Sequence, residues 1–590
     1  MTRWNGRSNG LRGVLLVLGS IIVAFLLGSA AAAGDLVTDW DLTPLFSNLE
    51  AWEAAKAKIP GMVDKLDRYK GRVGEGPTAM KGMFDSYFAL NKAAYRLFVY
   101  ANLVSDLDIR KPAPLGRKEE LGQMFSEISA KTAWIDPEIL ALPSETIQRY
   151  LKEEPSLEPY ERYLERLEKQ RPHILDTKGE EILGLAGMLQ GDGNTIGSIL
   201  RNAEISWDTI TLSDGTELRV DVLGYTRGRA VSNRPDRVKT YDAFYGKLAQ
   251  FQQSLATTLA NTVKAHYFNS KIRGYADTLE ASLSGNEVDP AIFNMLISEV
   301  NNALPVLQRY LKLRARMLEI SDLQYSDLYP PLVGKVAGEY PWDKSVKTVL
   351  DSFSPMGDEY VKGLQTACEE GWIDVYPAEG KRSGAYVSGA VYDVHPYMLL
   401  NHQDDYESAS TFAHEAGHLM HSALSNQARP FPTARYAIFV AEVASTTQQW
   451  LFFRHTLANA QSKEEKLAIL GNFLESFRTT VFRQTMFAEF ERKIHQLVET
   501  GKPITSESLN AIYLDLLRRY HGQNEGVCNV DEKYQVEWAF IPHFHYNYYV
   551  YSYATSFISA AAFHEQILTG QNGGVDLSLI HISEPTRPTT

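Results

Sequence analysis

The chain has 590 residues, of which 44% are hydrophobic and 22% charged, so it has a globular composition and enough length for a large core. Its net charge of −13 at pH 7, without a basic patch interleaved with aromatic residues, argues against a nucleic-acid-binding protein. The two cysteines, Cys368 and Cys528, have no sequence feature that places them together, and we expect two buried free thiols rather than a disulfide.

The first 33 residues have the pattern of an export signal. Three arginines precede an apolar run over 14–27, and small residues follow through Ala33. This order, with Ala-x-Ala choices at 31–33, predicts a cleaved secretory signal peptide. The alternative is an uncleaved membrane anchor, because the apolar run approaches the span of a bilayer. We therefore expect an exported protein, periplasmic or secreted, whose membrane contact is limited to this segment.

Helical periodicity dominates the rest of the chain. Apolar residues recur every three or four positions from 41 to about 200, and again from 237 to about 316. We assign 34–200 to an N-terminal helical lobe and 201–575 to a second domain. Residues 576–590 fit no preceding element, so we interpret them as a foreign or frame-shifted tail on a truncated C-terminus.

Two short stretches have the period of two that is typical of strands. Between 205 and 222, Asp214-Gly215 separates two alternating runs, which predicts a β-hairpin. A second extended region covers about 385–400. It is either a small structural sheet or an edge strand that pairs with the backbone of a peptide.

The motif His414-Glu415-Ala416-Gly417-His418 carries the most chemical information. Residues four apart lie on one face of a helix, so both imidazoles can bind one ion. Glu415 can reach a water on that ion without ligating it, which is the arrangement of a zinc hydrolase. The sequence therefore predicts a metal site with a general base beside it.

A third ligand should come from a separate element, because an open tetrahedral zinc site takes three protein ligands and water. Glu442 is a single acid within an apolar, helix-like stretch, and the prolines of the segment 429–432 end the preceding helix and turn the chain. Two antiparallel helices would bring Glu442 to His414 and His418. The alternative is a carboxylate on the helix surface.

The sequence resembles the oligopeptidase F branch of the thimet-oligopeptidase family of zinc peptidases. The resemblance rests on four blocks, 411–421, 439–446, 541–544 and 549–555, with weaker similarity at 40–42 and 384–386. It implies a mainly α, two-lobed fold with a deep substrate channel, and a zinc endopeptidase with one Zn²⁺ per chain that hydrolyses short unfolded oligopeptides. The ligands would be His414, His418 and Glu442, with Glu415 as general base. His543 and one tyrosine of the group Tyr546, Tyr551 and Tyr553 would stabilise the oxyanion.

The chain departs from the family pattern at three places. Gln448-Gln449 stands where the family often has Asn-Glu, which removes an expected carboxylate near the ligands. Ser556 replaces a glycine after the tyrosine block. The family pattern continues for a few dozen residues beyond Gly570, and this sequence does not continue that pattern.

Several alternatives stay open at this point. A carboxypeptidase or dipeptidyl carboxypeptidase would use the same motif, and an exported non-catalytic binding protein could hold a structural metal. Cobalt or manganese could replace zinc. His421 is either a residue supporting the site or a packed histidine, and we interpret His395, His402 and His545 as structural.

Overall fold

The computed structural model describes residues 36–187, 190–333, 338–570 and 574–575. The predicted leader at 1–33 and the predicted tail at 576–590 lie outside the described residues, and both stay predictions. No helix within the described ranges combines the length and the apolar character that crossing a bilayer requires.

The described chain is mainly α-helical, which confirms the predicted fold class. Its helices are α1 (Leu49–Lys56), α2 (Ile59–Asp67), α3 (Pro77–Leu107), α4 (Pro112–Thr132), α5 (Ile135–Leu140), α6 (Ser144–Glu153), α7 (Glu161–Gln170), α8 (Thr177–Gly187), α9 (Asp192–Ile199), α10 (Val222–Gly228), α11 (Arg234–Ile272), α12 (Thr278–Ser284), α13 (Pro290–Asn302), α14 (Leu304–Met317), α15 (Trp342–Ser352), α16 (Asp358–Glu369), α17 (Tyr406–Ala428), α18 (Ile438–Asn459), α19 (Lys463–Ser476), α20 (Arg483–Glu499), α21 (Ser506–Tyr520) and α22 (Tyr551–Thr569). The strands are β1 (Thr209–Thr211), β2 (Glu217–Arg219), β3 (Ile373–Asp374), β4 (Tyr386–Ser388) and β5 (Tyr397–Leu399).

The helices follow from local sequence. In α3, Pro77 stands in the first turn, where its missing N–H costs nothing, and Met80, Met83 and Phe84 recur at helical spacing and are fully buried. These residues belong to a hydrophobic core whose fully buried members all lie within residues 52–167. Separate clusters bury side chains from 205–557 and from 340–567, and the second of these contains the helix of the histidine motif.

The predicted hairpin is confirmed. Strands β1 and β2 pair antiparallel with Ile210 opposite Leu218, and the turn between them contains Asp214-Gly215. Gly215 has a φ of 87°, a conformation that glycine adopts without strain.

The second extended region forms a three-stranded sheet with the order β3-β5-β4. Strand β4 lies at an edge and pairs antiparallel with β5, with Val387 opposite Met398. The indole N–H of Trp40 donates to the carbonyl of Met398 (2.8 Å), so the first described residues are fixed to this sheet. The predicted extended region at about 385–400 is confirmed as part of a small sheet, and its pairing with a peptide stays a prediction.

Helices α17 and α18 form the predicted hairpin. Pro430 and Pro432 follow the end of α17, and a short 3₁₀ turn at Phe431–Thr433 leads the chain toward α18. Helix α18 then packs between α17 and α22. Cys368 and Cys528 are both free and buried, as expected from the sequence.

Candidate active site

Helix α17 presents the two motif histidines on one face. Asp405 caps the helix by accepting a hydrogen bond from the backbone N–H of Ser408 (2.9 Å). Nine residues later comes His414, and His418 lies one turn beyond, with ring centroids 5.1 Å apart. The four-residue spacing therefore aims both imidazoles toward α18.

Gly417 allows α18 to approach this face closely. A Cβ at position 417 would lie 2.5 Å from the Cα of Ser445 and 2.8 Å from the carbonyl oxygen of Ala444. No other residue type fits at that separation without moving a backbone. Ser445 lies one turn beyond Glu442 on α18, so the contact brings Glu442 to the two histidines.

Three potential ligand atoms converge at this crossing. Glu442 Oε2 lies 3.3 Å from His414 Nε2 and 3.3 Å from His418 Nε2, and one donor atom from each residue falls within 4.8 Å of the others. The hydroxyl of Ser445 donates to the same oxygen of Glu442 (2.9 Å), which fixes the carboxylate. The structure thus brings together the three residues that the sequence predicted as ligands.

The electrostatics of the cluster favour positive charge between these side chains. Burial opposes ionisation of Glu442, yet hydrogen bonds from His414 and His418 hold the pKa of its carboxyl well below the ordinary value. Burial also opposes a charged imidazole, but the Glu442 carboxylate raises the pKa of His414. Two imidazole nitrogens and one carboxylate oxygen are a donor set that suits a divalent ion such as zinc.

Glu415 lies next in sequence to the ligand candidate His414, and one of its carboxylate oxygens makes no hydrogen bond to the described residues. Its side chain is 7% exposed, and Oε2 has no hydrogen-bond partner among the described residues. Burial raises the pKa of the Glu415 carboxyl, and the neighbouring imidazoles of His414 and His418 offset part of the effect. A buried carboxyl with a raised pKa and a free oxygen is suited to accept and return a proton.

The His543 region forms an aromatic group with only some of the predicted tyrosines. Ring centroids lie 5.6 Å from His543 for Tyr546 and 6.2 Å for Tyr553. Burial, the hydroxyl of Tyr549 and the charge of Glu442 each raise the pKa of the Tyr553 phenol, so this side chain lies within electrostatic reach of the ligand cluster. Tyr551 instead packs its ring against Phe293 and Phe439.

Sequence reasoning did not include Tyr549 among the candidate residues. Its ring contacts that of Tyr553 edge-on at 5.2 Å and lies 6.5 Å from the ring of His543. Tyr549 precedes Tyr553 by four residues, which is one helical turn. This spacing, continued one turn before the start of α22, is the sequence signal that could have identified Tyr549.

Two regions of the chain match known family models. Residues 229–576 match Peptidase family M3, and residues 138–207 match Oligopeptidase F. The chain belongs to Peptidase family M3. Membership of its oligopeptidase F group confirms the resemblance seen in the sequence.

Sequence similarity to known oligopeptidases extends over nearly the whole chain. It is 35% identical to oligopeptidase PepF of Bacillus subtilis, over 91% of this chain and 80% of that protein. It is 33% identical to group B oligopeptidase PepB of Streptococcus agalactiae, over 90% of this chain and 88% of that protein.

Solved structures share the fold. A putative peptidase from Chlamydophila abortus superposes with a TM-score of 0.85 at 31% identity, over 93% of this chain and 91% of that one. Oligoendopeptidase-F from Enterococcus faecium superposes with a TM-score of 0.69 at 28% identity, covering 92% of each chain.

The departures from the M3 family pattern have structural counterparts. Gln449 donates from Nε2 to the hydroxyl of Ser410 (3.2 Å) and also hydrogen-bonds to His414, so an amide occupies the position of the expected carboxylate. Gln448 is buried and donates to the Tyr360 hydroxyl (2.9 Å). Ser556 donates to the carbonyl of Phe439 (3.2 Å), which ties α22 to the first turn of α18.

Four further histidines of the sequence analysis make packing or hydrogen-bond contacts in the structure. His421 is buried and stacks on Tyr436 at 3.6 Å, and burial lowers the pKa of its imidazole to about 3. His395 stacks on Trp372, His402 hydrogen-bonds to the carbonyl of Tyr340, and His545 hydrogen-bonds to Thr262. These contacts agree with the structural interpretation of these residues.

Proposed function

We propose that this M3 peptidase is a zinc-dependent endopeptidase that hydrolyses short unfolded oligopeptides. The observation that carries the proposal is the convergence of His414 Nε2, His418 Nε2 and Glu442 Oε2 beside the buried, unpartnered oxygen of Glu415. A structural zinc site would close with a fourth protein ligand, and only these three converge among the described residues.

The donor set fits one Zn²⁺ per chain. His414, His418 and Glu442 would hold the ion, and a position is left for solvent or substrate. When bound, zinc supplies a Lewis acid that polarises the scissile carbonyl and makes water more acidic. Cobalt or manganese could occupy the same site in place of zinc.

Glu415 is the proposed general base and proton shuttle. Its carboxylate takes a proton as the oxygen of water attacks the scissile carbonyl carbon, and returns the proton to the amine as the C–N bond breaks. Burial raises the pKa of this carboxyl, which makes the carboxylate a stronger base toward the attacking water.

His543 and one tyrosine of the set Tyr546, Tyr551 and Tyr553 are the proposed donors to the oxyanion. Donors placed where charge develops stabilise a transition state by about 3–4 kcal/mol each. The proximity of Tyr546 and Tyr553 to His543 supports these two, and single Phe substitutions at the three positions identify the donor by which one lowers kcat.

Strand β4 is the proposed docking edge for the substrate. It lies at an edge of its sheet, and it precedes α17 in the chain. Main-chain pairing along such an edge would hold a peptide without selecting its side chains, as an oligopeptidase requires.

The decisive experiment measures hydrolysis of short peptides before and after chelation, with zinc add-back, for the wild type and for Glu415→Gln. We expect chelation to abolish activity and zinc to restore it. Glu415→Gln should retain zinc and lose nearly all turnover. Glu407→Gln, a matched change at an exposed position two turns earlier on α17, should keep full activity. Turnover by Glu415→Gln protein free of wild-type enzyme would refute the mechanism.

A peptide with blocked ends tests the endopeptidase assignment. We expect blocked and free forms of one peptide to be cleaved at similar rates, since no terminal carboxylate is needed. Loss of cleavage on blocking the C-terminus would instead identify a carboxypeptidase or a dipeptidyl carboxypeptidase.

A further inference from the structure

The segment between His543 and Tyr553 contains two residues in a strained backbone conformation. Asn547 and Tyr548 have φ values of 30° and 57°, in the left-handed region that favours glycine. They lie between the 3₁₀ turn Pro542–His545 and the start of α22, the two elements that carry His543 and Tyr553. Strain of this kind persists only where the surroundings hold it in place, and it is common at functional sites.

Side chains from two other helices hold this turn. From α20, Glu491 accepts a hydrogen bond from the backbone N–H of Tyr548. From α12, the Ser282 hydroxyl donates to the carbonyl of Asn547 (2.7 Å), and the hydroxyls of Thr278 and Tyr548 hydrogen-bond to each other (3.0 Å). The turn is therefore bound at its amide, its carbonyl and its side chain.

The burial of Glu491 costs free energy. Its side chain is fully buried, and its Oε2 has no hydrogen-bond partner among the described residues. Burial raises the pKa of the Glu491 carboxyl to about 8, which favours its neutral form. An apolar residue of the same size would avoid the cost of burying this group, and the contact that such a residue would lose is the one to Tyr548.

We propose that Glu491 is a positioning residue, which by accepting the Tyr548 amide holds the strained turn and so orients His543 and Tyr553 toward the substrate. The inference rests on the proposed function, in which the His543 group acts on the peptide. Glu491 itself touches neither the ligand cluster nor, in this proposal, the substrate, and it acts only through the loop.

Two substitutions at position 491 distinguish the effect of losing the hydrogen bond to Tyr548 from the effect of altered packing. Glu491→Gln keeps an acceptor oxygen and matches the neutral acid in shape, whereas Glu491→Met has similar size without an acceptor. We expect kcat of Glu491→Gln to stay within three-fold of the wild type. Glu491→Met should lose at least ten-fold in kcat, with KM within three-fold and zinc content unchanged, because a misplaced donor weakens the transition state more than substrate binding.

A second measurement reports on the loop independently of catalysis. Hydrogen–deuterium exchange of peptides covering 545–550 should be faster in Glu491→Met than in the wild type, since the Tyr548 amide loses its acceptor, and nearly unchanged in Glu491→Gln. Glu489→Gln is the matched control on the same helix. It pairs with Arg519 rather than with the loop, and should leave kcat and loop exchange unchanged.

Wild-type kcat and loop exchange in Glu491→Met would overturn the inference, as would equal damage in the Gln and Met variants. If Glu491→Met does not fold, Ser282→Ala decides, because it weakens the same turn from the surface. It should lower kcat about three-fold and speed exchange at the loop, and wild-type behaviour would refute the proposal. An inactive wild type would refute the proposed function, while the exchange data would still decide whether Glu491 holds the turn.

Discussion

At the residue scale, Gly417 determines the geometry of the ligand cluster. The two helices touch at this position, and a methyl group would lie 2.5 Å from the backbone of Ser445. The helix carrying Glu442 must therefore move away if the residue at 417 has a side chain. Glu442 would then lie farther from the Nε2 atoms of His414 and His418.

Gly417→Ala should accordingly weaken metal binding and the fold together. Overpacking of this kind lowers the free energy of unfolding by about 1–3 kcal/mol, and we expect at least a ten-fold loss of zinc affinity. Titration against a competing chelator measures the affinity, and denaturant unfolding of the metal-free protein measures the stability. Gly246→Ala is the control, because a Cβ there meets no atom within 4 Å on an exposed helix face, and it should leave zinc affinity unchanged. Unchanged zinc affinity in Gly417→Ala would contradict this account of the crossing.

At the scale of elements, helix α3 fixes the edge strand that is the proposed docking site. The buried carboxylate of Asp106 accepts hydrogen bonds from the Tyr386 hydroxyl (2.7 Å) and from the Arg382 guanidinium (3.1 Å). The backbone N–H of Arg382 donates to the carbonyl of Asp106 (2.9 Å). The N-terminal helices and the start of β4 are thus joined through one acid.

Asp106→Ala should loosen β4 without touching the ligand cluster. We expect KM for a peptide to rise five- to ten-fold with kcat within two-fold, because the strand binds substrate and does no chemistry. Removing the buried carboxylate and its hydrogen bonds should also lower the free energy of unfolding by about 1–3 kcal/mol. Asp351→Ala is the control, since it removes an exposed i,i+4 pair with Lys347 that contributes about 0.3–0.5 kcal/mol. A fall in kcat at unchanged KM would argue against a docking role for β4.

At the scale of the whole molecule, histidines buried in neutral form make stability depend on pH. Burial lowers the pKa of His495 and His564 to about 4 and that of His521 to about 3. Below about pH 6.5 the unfolded chain binds protons on these groups and the folded chain does not. Stability is therefore lost as the pH falls from about 6.5 toward 4, by about 1.4 kcal/mol per pH unit for each histidine.

We expect the metal-free protein to unfold at a lower temperature at pH 5 than at pH 7. His521→Gln removes one group that binds a proton only in the unfolded state. Between pH 5 and 6, the variant should therefore take up close to one proton fewer on unfolding, and its unfolding free energy should change less steeply with pH. Denaturant titrations at half-unit pH intervals measure both slopes. Identical slopes for the variant and the wild type would show that His521 is protonated in the folded protein as well.

The sequence by itself determined the fold class and most of the ligand cluster. Helical periodicity, the Asp214-Gly215 turn and the prolines after α17 act over a few residues, so their consequences could be read without a fold. The spacing of His414 and His418 is set by one turn of helix, and Glu442 needed only the additional assumption of an antiparallel hairpin.

Only the tertiary structure decided which side chains meet across distant parts of the chain. It grouped Tyr546, Tyr549 and Tyr553 with His543, placed Tyr551 against Phe293 and Phe439, and set Glu491 under the strained turn. These contacts join residues that are far apart in sequence or that lie in irregular backbone, where no periodic pattern fixes the direction of a side chain. Local sequence specifies each element, whereas the packing of the elements against one another selects the contacts that complete the site.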